Sequence, residues 1–96
     1  MPNKDRVPLD LCWFVYILRC RDGSLYTGIT KDVIRRCQQH NAGTASKYTR
    51  SRLPVRLAHQ EVHTDQTSAL KRELAIKAMT RRGKLALIRQ RKAGDP

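Results

Sequence analysis

Residues 13–30 read "WFVYILRCRDGSLYTGIT", and the way this stretch folds decides the architecture. Cys12 to Cys20 is rich in aromatic and β-branched residues, Arg-Asp-Gly-Ser follows, and Ser24 to Ile29 completes a β-hairpin. The register of that hairpin fixes where Tyr16 and Tyr26 point, because strand side chains alternate between faces. A two-residue Asp22-Gly23 loop opposes Arg19 to Tyr26 and sends the two phenols to opposite faces. A three-residue Arg21-Asp22-Gly23 loop, with Gly23 left-handed in a bulge, opposes Leu18 to Tyr26. The phenols then share a face as diagonal neighbours, about 7–8 Å apart. Both registers are allowed, and a glycine in the third loop position favours the second.

Downstream, "KDVIRRCQQHNAG" reads as a short helix with Asp32 near its start and Gly43 past its end. "TASKYTRSRLP" reads as a basic loop closed by Pro54. Val55 to Val62 reads as a third strand. "TDQTSALKRELAIKAMT" is a helix with cap candidates Thr64 and Asp65, and Gly83 separates it from a last basic helix, roughly Lys84 to Lys92. The expected fold is α+β: a small three-stranded, mainly antiparallel sheet flanked by helices in the order ββαβαα. Residues 1–11 read as a loose arm, 12–92 as one domain and 93–96 as a tail.

Ninety-six residues, 40 % of them hydrophobic, support a single modest core. Twenty Lys and Arg against eight Asp and Glu give a net charge of +12, which points to a polyanionic partner. A ribosome-associated or merely soluble basic protein is the alternative that charge alone leaves open. Three cysteines without CxxC spacing suit neither a disulfide framework nor a zinc site. They read as reduced residues of a cytoplasmic protein. The longest apolar run, Leu11 to Leu18, is too short to span a bilayer, and "MPNKDRVPLD" lacks the apolar centre of a signal peptide. No membrane is expected.

Helical periodicity then separates charges that face water from charges that do not. With Val33 at the centre of the apolar stripe, Arg36 and His40 border it one turn apart, whereas Arg35 points to water. With Leu70 as the origin of the later helix, Leu74 and Ala78 continue the stripe and Glu73 falls inside the apolar arc. Lys77 stands beside it, and Lys71, Arg72 and Ala75 face outward. An inward carboxylate in so basic a chain is a candidate metal ligand or one half of a Glu73–Lys77 pair.

These residues together resemble the GIY-YIG nuclease superfamily, in its small stand-alone bacterial branch. Phe14-Val15-Tyr16 stands for the first signature element and Tyr26-Thr27-Gly28 for the second. Arg36 follows ten residues after Tyr26, His40 comes one turn later, and "ALKRELAIK" is similar to the family's late helix with its metal-binding glutamate, here Glu73. The similarity runs from about Trp13 to Ile88. Phe14 replaces the signature's glycine and Thr27 its isoleucine; both tyrosines and Gly28 are kept.

The resemblance implies an endonuclease that hydrolyses phosphodiester bonds with one Mg²⁺ or Mn²⁺ held by Glu73. Arg36 would lie against the phosphate oxygens. Tyr16 or His40 would be the general base or proton relay, with Tyr26 helping to position the water. Gly28 would let the backbone pass close to the substrate. Lys31, Lys47, Arg50, Arg52 and Lys77 would grip the nucleic-acid backbone, and Tyr48 could stack on a base. DNA is the expected substrate ahead of RNA, with little sequence specificity and a role in DNA repair or processing. No small-molecule cofactor is expected, and oligomeric state is not legible. The competing reading is a binding module that has kept the scaffold without cutting.

Overall fold

The architecture follows from the hairpin. In a computed structural model that describes residues 8–94, strands β1 (Trp13–Arg19), β2 (Leu25–Thr30) and β3 (Arg56–His63) form one sheet in the order β2-β1-β3. Both pairings are antiparallel, and β1 is central. The helices are α1 (Val33–Asn41), α2 (Lys47–Arg50), α3 (Gln66–Lys77) and α4 (Arg81–Gly94), and a 3-10 turn spans Leu9–Leu11. The remainder of the arm expected at the N-terminus, and residues 95–96 of the tail, lie outside the described residues. No helix among the described residues is long and apolar enough to cross a membrane.

The turn is the three-residue one. Leu18 opposes Tyr26 and Tyr16 opposes Gly28. Gly23 has φ +85°; its N–H donates to the Cys20 carbonyl at 2.9 Å, and the Cys20 N–H donates to the Ser24 carbonyl at 2.9 Å. The Asp22 carboxylate accepts from the Ser24 N–H at 3.0 Å and its hydroxyl at 2.6 Å. A residue with a Cβ pays sterically for this left-handed conformation, and glycine does not.

Alternation along β1 builds a separate cluster on each face of the sheet. Val15 and Ile17 pack with Ala69, Ile76 and Ile88 of α3 and α4. Tyr16 and Leu18 pack with Cys20, Val55, Tyr26, Cys37 and Leu53. The second face, under α1, carries the phenols.

Local capping explains the helix starts. Asp32 accepts from the Arg35 N–H at 3.0 Å, and Asp65 from the Ser68 N–H at 2.7 Å. Gly43, at φ +80°, lies just past α1. Three sequence expectations are corrected. The basic loop contains α2, one turn of helix whose N-cap, Ser46, accepts from the Tyr48 and Thr49 N–H groups. Gly83 does not break the chain but sits in the first turn of α4, where its N–H donates to the Thr80 hydroxyl at 3.0 Å. First-turn N–H groups have no intrahelical partner, so a glycine costs little there. On α3 the apolar origin was misplaced: Leu70 and Leu74 are 41 % and 66 % exposed, while Ala69 and Ile76 are fully buried. The inward stripe therefore passes through Ala69, Arg72, Glu73 and Ile76, and Glu73 stays on it.

On the α3 face, β3 carries an ion-pair network. Arg72 donates to both oxygens of Glu61, at 2.7 and 2.9 Å, and His59 Nε2 lies 2.8 Å from the same carboxylate. Arg72 holds the Glu61 carboxyl down to about 2, against the opposing effect of burial.

Candidate active site

Tyr16 sits at the middle of the central strand and is buried to 2 % exposure. Its hydroxyl lies 3.0 Å from His40 Nε2, and His40 Nδ1 lies 2.8 Å from the Thr49 hydroxyl. His40 reaches this position because it stands one turn after Arg36 on α1, the spacing that sets both on the sheet-facing edge. Tyr26, brought to the same face by the bulged turn, has its ring centroid 6.4 Å from that of Tyr16 and 5.1 Å from that of His40. Tyr48 stacks beside Tyr26, with centroids 6.1 Å apart and planes inclined by 28°.

Gly28 has a reason visible in this geometry. A Cβ there would lie 2.6 Å from the Tyr16 hydroxyl oxygen and 2.7 Å from Cζ. The sequence reading gave Gly28 the task of letting substrate approach; the group that occupies its space is Tyr16.

Arg36, on α1, and Glu73, on α3, are the remaining residues of the expected set. The Arg36 guanidinium opposes the charge that His40 would carry and favours the one Tyr16 would carry, and α3, which bears Glu73, packs through Ala69 and Ile76 against Val15 and Ile17. Arg36 Nε is buried and has no hydrogen-bond partner among the described residues. An orphaned cationic donor of this kind is costly unless an anion meets it. Arg36 opens onto a hollow that Trp13, Thr30, Lys31 and Gln39 also line. The Glu73 side chain is 14 % exposed and pairs with Lys77 Nζ at 3.4 Å.

The surroundings set the protonation states. Burial, then Tyr26, raises Tyr16 well above the ordinary phenol range; Arg36 opposes this. Burial, then Arg36, lowers His40 below its ordinary value. Tyr16 is therefore a neutral phenol beside a neutral imidazole near pH 7.

The expected backbone-gripping residues divide into two groups. Lys31, Lys47 and Arg50 are exposed. Arg52 and Lys77 are already engaged: Lys77 with Glu73, and Arg52 with the Asp22 carboxylate at 3.1 Å and the Tyr48 carbonyl at 2.8 Å. The Arg52 guanidinium also lies 3.9 Å from the centre of the Tyr48 ring, which covers one face of the expected stacking platform. Arg52 thus ties α2 to the hairpin turn.

Thr49 is the site residue that sequence reasoning missed. In the sequence it lies in a stretch that reads as a basic loop, and the available signal is Ser46, a serine placed to cap a turn that aims Thr49 inward.

Similarity to known proteins gives the family and the fold. A family model described as the GIY-YIG catalytic domain matches residues 12–86. A UPF0213 protein of Staphylococcus aureus strain Mu3 is 54 % identical over 78 residues, covering 81 % of this chain and 95 % of the relative. The solution structure of the UPF0213 protein BH0048 from Bacillus halodurans is 42 % identical with a TM-score of 0.55, over 82 % of this chain and 84 % of that one. The solution structure of EF2693 from E. faecalis is 36 % identical with a TM-score of 0.61, over 88 % and 91 %.

Proposed function

The chain belongs to the GIY-YIG family, a nuclease family, and from that premise we propose that it is a divalent-metal-dependent endonuclease. It would hydrolyse phosphodiester bonds in DNA with little sequence specificity, in DNA repair or processing. The observation that carries this reading is the cluster on one face of the sheet: the Tyr16 hydroxyl meets His40 Nε2 at 3.0 Å, the Tyr26 ring packs beside both, and Arg36 of the same helix as His40 keeps a buried donor without a partner among the described residues.

In-line hydrolysis needs a proton taken from water, charge relief on the phosphate oxygens, and release of the leaving oxygen. The buried donor of Arg36 suits the second task, because a phosphate oxygen would supply the partner it lacks. Tyr16 and His40 suit the first as one unit. As Tyr16 accepts a proton from water, its own proton passes to His40 Nε2, so no free phenolate forms in an environment that disfavours one. The oxygen of that water bonds to phosphorus, the bond from phosphorus to the leaving oxygen breaks, and solvent protonates that oxygen. Tyr26 packs against His40 and helps to hold the water.

Among the described residues no three His, Cys, Asp or Glu side chains converge on a metal site. An ion here would take one protein carboxylate, Glu73, and fill its other positions with water and the scissile phosphate, a ligand set that suits Mg²⁺ or Mn²⁺. When bound, the ion supplies Lewis-acid charge stabilisation at the phosphate.

The test is incubation with labelled single-stranded, duplex and branched DNA and RNA, with and without Mn²⁺, for the unaltered protein and Glu73→Ala. The expected result is Mn²⁺-dependent cleavage of DNA that Glu73→Ala loses while gel-shift binding persists. Full activity in Glu73→Ala would falsify the metal role. The second reading, a non-cutting nucleic-acid-binding module, is favoured by the Glu73–Lys77 pair, which already engages the carboxylate. Salt-dependent binding with no cleavage under any divalent ion would select it.

A further inference from the structure

We propose that Thr49 is a positioning residue that fixes His40 as its Nδ1–H tautomer and thereby directs the Tyr16 proton toward His40 Nε2. The consequence for catalysis rests on the hydrolytic reading above; the tautomer itself does not.

The argument is a count of hydrogens and acceptors. Thr49 is fully buried, and its hydroxyl has two neighbours: His40 Nδ1 at 2.8 Å and the Ser46 carbonyl oxygen at 3.4 Å. A carbonyl can only accept, and it has two lone pairs; the Arg50 N–H uses one at 3.1 Å. With the Thr49 hydrogen on the other, the Thr49 oxygen is left to accept from Nδ1–H. His40 Nε2 is then bare and accepts from the Tyr16 hydroxyl. Each of the three hydrogens finds an acceptor. In the opposite tautomer Thr49 donates to Nδ1 and Nε2–H donates to the Tyr16 oxygen. The Tyr16 hydrogen is then left without an acceptor among the described residues, and only water reaching a residue that is 2 % exposed could take it, so this tautomer satisfies one hydrogen fewer within the fold. The hydrogen bond made by one ring nitrogen decides which of the two carries the proton.

Direction matters to the chemistry. With Nε2–H facing it, Tyr16 has nowhere to send its hydrogen when water delivers another. With Nε2 bare, the acceptor is in place before substrate arrives. Thr49 touches neither the water nor the phosphate, so it acts through His40 alone.

Long-range proton–nitrogen NMR of the full chain, labelled in histidine, reads the His40 tautomer without metal or nucleic acid. The expected spectrum shows hydrogen on Nδ1 in the unaltered protein and in Thr49→Ser. Thr49→Val, which keeps the shape and loses the hydroxyl, should shift His40 toward the Nε2–H form. It should also lower kcat by about 10- to 100-fold with KM unchanged, a loss that Thr49→Ser largely restores. Hydrogen on Nε2 in the unaltered protein, or an unshifted tautomer in Thr49→Val, would overturn the proposal. If Thr49→Val fails to fold, Thr49→Ala removes the same hydroxyl with the same expected shift, and an unshifted tautomer there would equally overturn the proposal. A protein that cuts nothing yet loses the Nδ1–H tautomer in Thr49→Val would uphold the grip of Thr49 on His40 and sink the hydrolytic reading.

Discussion

Tyr16 and Gly28 are one object seen from two strands. The phenol occupies the volume that a side chain at position 28 would need, so Gly28→Ala should push the ring off His40. Overpacking of this kind costs about 1–3 kcal/mol; thermal unfolding measures the loss, and cleavage should fall with it. Burial raises Tyr16, and a group raised on folding adds stability that is complete below the unfolded value of about 10 and fades as pH climbs through the folded value. Urea unfolding between neutral and strongly alkaline pH should show that loss, and Tyr16→Phe should flatten it. His40 has the opposite sign: it is lowered, so its contribution is complete above about pH 6.5 and fades as pH falls. Because a neutral His40 must accept the Tyr16 proton, the acid limb of the pH–rate profile should lie below about pH 6.5. A limb well above that value would remove His40 from the relay.

At the scale of elements, the hairpin was legible because one glycine in one loop position selects between two registers, and the φ of Gly23 made the selection. The α1 wheel was legible too: Arg35 is exposed, Arg36 half-buried and His40 buried. Helix α3 was not read correctly, since Leu70 and Leu74 form as regular a stripe as Ala69 and Ile76, and periodicity alone cannot say which one meets the sheet. Tertiary packing decided: Ala69 and Ile76 are the pair buried against Val15 and Ile17 of β1. Helix α2 was invisible because four residues hold too little periodicity to register, yet it carries Thr49 to the ring nitrogen of His40. The Glu61–Arg72 network also escaped notice, as it joins a strand to a helix across the opposite face. Glu61→Gln should cost about 1.5–3 kcal/mol by removing charge-assisted bonds. Glu61 is held low, so its contribution is complete above the ordinary carboxylate range and is lost as pH falls toward about 2. Acid unfolding of the two proteins, compared by circular dichroism, checks both statements.

Across the whole molecule the sequence spoke through charge. A net +12 on 96 residues predicts binding that weakens steeply with salt whatever the base sequence. What charge could not disclose is which cations are available. Arg52 and Lys77 are spent on internal partners, whereas Lys31, Lys47 and Arg50 stand exposed. Lys47 and Arg50 flank Thr49 on α2, so one short helix turns its middle toward His40 and its ends toward solvent. The double variant Lys47→Ala, Arg50→Ala should weaken DNA binding about equally for all sequences. It should lower the slope of log affinity against log salt by about 2, with kcat little changed. Gel shifts across a salt series measure both.

The central claim is that Tyr16, His40, Arg36 and Glu73 form one hydrolytic site. It meets its most direct test in single-turnover cleavage of a labelled DNA duplex with Mn²⁺ by the unaltered protein, Tyr16→Phe and Arg36→Ala, with binding measured in parallel. The account predicts that each substitution slows cleavage by at least about 100-fold while binding stays within a few-fold. Unaltered rates in either variant would contradict it.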